Sequence, residues 1–79
     1  MKHIGLSFGG HPVFQVGNNF EEMMSQHRLK SAANKRLARS IKEGSDVKLR
    51  KYDGKWCVFM KMGIARTRMV KAALARRNK

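Results

Sequence analysis

The chain has 79 residues, 42% of them hydrophobic, one cysteine, three histidines and a formal net charge of +13. That length makes one small domain over residues 1–79, and its apolar content is that of a folding chain, not of a disordered one. Cys57 alone excludes an internal disulfide and, with scattered histidines, makes no metal set, so neither metal nor cofactor is expected. No stretch approaches the ~20 apolar residues of a membrane span, and Met1-Lys2-His3-Ile4-Gly5 lacks a signal-peptide core. The expectation is a cytoplasmic protein with no membrane partner.

Ile4, Leu6 and Phe8 alternate with Lys2, His3, Gly5 and Ser7 as a strand does, and Gly9-Gly10 supplies the positive φ of a tight reversal. The return strand is expected from Val13 to Val16, behind Pro12, which cannot donate to a ladder and suits a first position. Gly17-Asn18-Asn19 ends this hairpin.

A helix is expected next. Asn19 serves as its N-cap, Glu22 bonds back as in a capping box, and Glu21 and Glu22 sit well against the positive helix end. Phe20, Met23, Met24 and His27 share one face, followed by Leu29, Ala33, Leu37 and Ile41 at four-residue spacing with Ala38 beside them. Gly44 stops it. The stripe rotates between the two halves and Ser31 can cap a second segment, so the reading is one helix, continuous or kinked near residues 31–34.

From Val47 to Met62, two alternating runs rich in β-branched and aromatic residues flank Asp53-Gly54, the favoured pair for a two-residue type I′ turn. That turn sets the register: Tyr52 opposes Lys55, and Val47 opposes Met60. One face then carries Val47, Leu49, Trp56, Val58 and Met60, a core surface. The other carries Lys48, Arg50, Tyr52, Lys55, Cys57, Phe59 and Lys61. After Gly63, residues 64–79 are proline-free and alanine-rich, with Arg76, Arg77 and Lys79 at the end a helix dipole favours. They read as a basic C-terminal helix or arm, with a broad apolar stripe of Ala65, Met69, Ala72 and Ala73, Val70 and Leu74 alongside. The fold class is α+β: two β-hairpins and two helices in the order ββαββα, the helices packed on an antiparallel sheet.

Charge is segregated along this chain. Lys2 against Glu21 and Glu22 leaves the first 27 residues at −1, whereas seventeen cations against Glu43, Asp46 and Asp53 leave the remainder at +14. Solubility asks for a net charge of only about 2 to 8 in a small domain, so the excess points to a polyanion, and nucleic acid, DNA or RNA, is the first candidate. The candidate phosphate contacts are Arg28, Lys35, Arg36, Arg39 and Lys42 on the first helix; Lys48, Arg50, Lys55 and Lys61 on the second hairpin, with Tyr52 as a stacking ring; and Arg66, Arg68, Lys71, Arg76 and Arg77 in the C-terminal segment. Phe59 is the second ring on that hairpin face, but phenylalanine is usually buried and is expected beneath a helix.

No catalytic site is expected. Asp53 is explained by its turn and Glu22 by its cap, and nothing links Cys57 or a serine to a base, although His3, His11 and His27 remain free to converge in space. The expected function is a small basic nucleic-acid-binding protein. The alternatives are a regulatory or inhibitory protein that docks its basic half on an acidic surface of a nucleic-acid-processing enzyme, and a ribonucleoprotein component.

Overall fold

A computed structural model describes residues 1–7 and 9–77, so Phe8 and Lys79, to which the sequence assigns a strand position and a helix end, lie outside the described residues. The elements are β1 (Lys2–Leu6), β2 (Pro12–Val16), β3 (Asn19–His27), α1 (Lys30–Lys42), β4 (Val47–Tyr52), β5 (Lys55–Lys61) and α2 (Ile64–Arg77). The fold is α+β, a five-stranded antiparallel sheet in the order β1-β2-β3-β5-β4 with the helices packed against it.

The β4–β5 hairpin has the expected register in full, from Tyr52 opposite Lys55 to Val47 opposite Met60. Asp53 and Gly54 both have positive φ, 53° and 73°, as a type I′ turn demands. The first hairpin also forms, with Pro12 opening β2, and a bulge between His3 and Gly5 shifts its register.

The stretch from Asn19 to His27 corrects the expected helix. It is a nine-residue central strand, hydrogen-bonded to β2 on one side and β5 on the other. Gly17, at φ 61°, makes the two-residue turn with Asn18, so that Val16 opposes Asn19 and the chain folds straight back into the sheet. Two ladders outweigh one capping box, because a capped helix would have left both neighbouring strands with open edges. The order is therefore βββαββα, and the break expected near Ser31 is where the helix begins. Leu29 occupies the N-cap of α1 with no side-chain bond; the C-terminal stop at Gly44 (φ 85°) is as expected, with its N–H donating to the Ile41 carbonyl at 2.9 Å.

Both helices lie on one face of the sheet. α1 crosses β3, β5 and β4, seating Ala33 and Ser40 over the side that carries Val58, which has no exposed surface. Its packing line runs through residues 33, 37 and 40, so Leu29 and Ile41, expected in the stripe, are exposed. α2 lays Val70 and Leu74 on Val13, Phe20, Met62 and Ile4, and buries none of its own residues completely.

The other face closes on itself. Phe14 on β2 and Tyr52 on β4 are separated in the sheet by β3 and β5, a distance of about 14 Å if it were flat. Their ring centroids are 4.9 Å apart, edge to face, and Phe14 meets Phe59 at 5.3 Å. The sheet is therefore strongly curled, and its concave side holds Phe14, Met23, Cys57 and Phe59, all buried. Each fully buried aromatic side chain here is worth roughly 1.5–3 kcal/mol of hydrophobic stabilisation.

Candidate nucleic-acid interface

Glu21 and Glu22 are neighbours on β3 and so point to opposite faces. Glu21, on the concave side, accepts two hydrogen bonds from Arg50, Nε at 3.1 Å and Nη2 at 3.0 Å, which hold that guanidinium more firmly protonated than usual. Glu22, on the helical side, is paired with Arg66 of α2. Burial pushes the Glu22 carboxyl up, but hydrogen bonds from Arg66 and Ser7 and the charges of Arg66 and His11 prevail and hold it below the usual range. The two acids read as helix-cap residues are instead buried tethers, one for β4 and one for α2.

These tethers decide which cations remain available. Three of the seventeen described Lys and Arg side chains face a carboxylate: Arg50, Arg66 and Arg39, the last with Glu43 at 3.4 Å on the surface of α1. The other fourteen have no acidic partner among the described residues. α1 and α2 together carry ten Lys and Arg and no acid, on the same face of the sheet and without touching each other. The helical layer is thus a strongly positive surface, offset only by Glu43 at Arg39 and Glu22 at Arg66.

On α1, Lys35, Arg39 and Lys42 project opposite the docked line of Ala33, Leu37 and Ser40, and with Arg28 they are exposed. Arg36 departs from the expectation: it is half-buried and donates Nη1 to the Ser40 hydroxyl, which fixes it against the sheet side of the helix.

α2 presents three faces. Arg66, Val70, Leu74 and Arg77 point to the sheet, where Arg77 donates to the Ile4 carbonyl at 2.9 Å. On one flank, Ile64, Thr67, Arg68 and Lys71, spaced i, i+3, i+4, i+7, line a cleft of about 310 Å³ completed by Lys61 from the end of β5 and by Asn18 and Asn19 from the β2–β3 turn. Three cationic residues, two amide residues and the first turn of a helix border it, while the Thr67 hydroxyl donates to the Met62 carbonyl at 3.5 Å. The cations and amides are donors of the kind a phosphate oxygen accepts from. On the opposite flank, Met69, Ala72, Ala73 and Arg76 face a larger groove against β1.

On the second hairpin, Lys48, Lys55 and Lys61 are exposed, Arg50 is committed to Glu21, and Tyr52 is half-buried with its edge on Phe14. Phe59 has no exposed surface and offers nothing to a base; what covers it is the curl of the sheet, with Phe14, and not the helix expected above it. Trp56, expected in the core, is half-buried between two ammonium groups, Lys30 Nζ at 5.0 Å and Lys51 Nζ at 5.4 Å from its ring centre.

Asn18, Asn19 and Thr67 are cleft residues to which the sequence gives no binding role, Asn18 and Asn19 reading only as a hairpin end and a helix cap. Only the face shared by Thr67 with Arg68 and Lys71 is visible in the spacing, because the β2–β3 turn reaches this cleft through sheet pairing alone. The histidines are dispersed: His3 tilts against Phe14, His11 lies near Glu22, and His27 shares a 2.9 Å hydrogen bond with Ser25. Among the described residues no three His, Cys, Asp or Glu side chains are gathered as a metal set would require. Burial raises the Cys57 thiol above its ordinary pKa, which leaves it an inert core residue. No helix among the described residues is long and apolar enough to cross a membrane.

No protein-family model matches the chain, and no curated protein or solved structure matches it.

Proposed function

We propose that this protein binds nucleic acid by its phosphate backbone, using the positive layer formed by α1 and α2 and, within it, the cleft on the Lys61 side of α2. The observation that carries this reading is the charge excess of that layer: ten cations on two helices that contain no acid, of which only Arg39, with Glu43, and Arg66, with Glu22, face a carboxylate. Such a surface attracts any polyanion over a Debye length of about 10 Å, and the cleft gives the attraction a fixed point where donors converge. Base reading has no comparable support. The rings of the concave face are turned inward, so recognition is by backbone, with affinity that falls steeply with salt.

The test is the anisotropy of labelled duplex and single-stranded oligonucleotides titrated with protein from low to moderate salt. For the triple variant Lys61→Ala, Arg68→Ala, Lys71→Ala, the log–log salt slope on duplex DNA flattens by about 0.9 for each phosphate no longer neutralised. Failure of the intact protein to bind any oligonucleotide at low ionic strength removes the proposal.

A further inference from the structure

The groove on the other flank of α2 differs in chemistry from the cleft. Its volume is about 910 Å³, its floor is apolar with Ile4, Val13 and Leu74, and its walls are Leu6 from β1 and Met69 from α2. Leu6 is 69% and Met69 56% exposed, large apolar side chains that a small basic protein has no solubility reason to display. Arg68 and Arg76 stand on its rim with no carboxylate partner among the described residues. A phosphate chain has no use for an apolar floor, and a second copy of this chain, at +13, would bring arginines to arginines.

We infer that this groove docks an amphipathic helix of a partner protein, with leucine-like side chains against Leu6 and Met69 and carboxylates at Arg68 and Arg76. Charge complementarity selects an acidic partner, and geometry selects a helix. The competing mode is addition of an extended strand to the open edge of β1. That edge is bulged between His3 and Gly5, and the Ile4 carbonyl is already occupied by Arg77. α2, with fourteen residues, provides a wall about 21 Å long, enough for a partner helix of roughly four turns. The groove lies on the flank of α2 opposite the cleft, and Arg68, at the boundary between the two flanks, borders both.

The test uses the full chain and a fluorescein-labelled synthetic peptide of about 18 residues, with leucines at i, i+3, i+4 and i+7 and glutamates elsewhere, against a scrambled peptide of identical composition. At physiological salt the patterned peptide binds at least about ten-fold more tightly than the scramble, since both carry the same charge and only one presents an apolar face. Met69→Glu and Leu6→Glu each abolish that preference. Ile64→Glu, an equal charge change at a residue 77% exposed on the cleft flank, leaves it within about two-fold. Circular dichroism checks that all three variants remain folded. Equal affinity for patterned and scrambled peptides overturns the inference, as does retention of the preference in folded Met69→Glu. Stoichiometric displacement of the peptide by an oligonucleotide, with Met69→Glu weakening both alike, assigns the groove to nucleic acid and overturns it too.

Discussion

In the sequence Arg50 is an obvious phosphate contact, and its bond to Glu21 makes a sharp, opposite prediction. Replacing it with methionine keeps most of the apolar stem and removes the guanidinium, leaving Glu21, whose side chain is 6% exposed, without either of its two charge-assisted hydrogen bonds. Removing one partner of a buried pair typically costs about 3–5 kcal/mol; the Arg50 side chain is 31% exposed, which admits water and brings the expected cost to the lower end, about 2–3 kcal/mol. For a chain of 79 residues the total stability is about 4–12 kcal/mol, so Arg50→Met shifts the urea midpoint substantially. The double variant Glu21→Leu, Arg50→Met removes the orphaned carboxylate and recovers most of that destabilisation. Measured in parallel, the oligonucleotide salt slope stays the same in Arg50→Met so long as the protein remains folded. A cost under about 0.5 kcal/mol, or a slope flattened by about 0.9, would refute the assignment of Arg50 to structure.

Three further outcomes rest on the same packing and turn geometry. Gly54→Val forces a β-branched residue to φ 73° and costs about 1–2 kcal/mol or more, seen as a lowered urea midpoint, whereas Lys55→Val beside it does not. Glu22, whose carboxyl is held below its unfolded value near 4.5, stabilises the docking of α2 above that pH, and this contribution is lost as pH falls through the folded pKa; acid titration followed by NMR of Val70 and Leu74 shows α2 releasing below about pH 4.5, and Glu22→Gln removes that step. Cys57 stays unreactive toward a thiol-exchange reagent in the folded protein and reacts in step with urea unfolding, because its sulfur lies in the concave core; fast labelling of native protein would mean that the curl opens readily.

What is legible in the sequence is whatever depends on local chemistry. Asp53-Gly54 dictates its turn through the φ values it tolerates, and the turn alone fixes six cross-strand pairs. Gly44 ends a helix for a similar reason. The error over residues 19–27 has the opposite origin. Asn19, Glu21 and Glu22 satisfy a helix start locally, while the competing signal, Gly17-Asn18 as a two-residue hairpin turn, counts only once the strands on both sides are known to pair. The same limit applies to the second hairpin's two faces. Alternation correctly separates Trp56, Val58 and Met60 from Cys57 and Phe59, but a curled sheet buries both sides, and curl is a property of five strands together.

That curl also explains why the proposed binding surface lies on the helices and not on the aromatic hairpin face. With Phe14, Phe59 and Tyr52 gathered inside, the concave face offers a base none of these rings, and Glu21 is drawn in after them to hold Arg50. Glu22 on the reverse side then fixes Arg66, and through it the position of α2, so that the two buried acids serve the architecture while thirteen exposed cations without an acidic partner among the described residues are left to the surface. α2 is the element on which this depends most. It buries no residue fully and is held by Val70, Leu74, the Glu22–Arg66 pair and the Arg77 bond to Ile4, yet it supplies one wall to the proposed phosphate cleft and one to the apolar groove. A helix held this lightly lies at the low-stability end of the fold, so either proposed ligand, on binding, would have to repay the cost of ordering it.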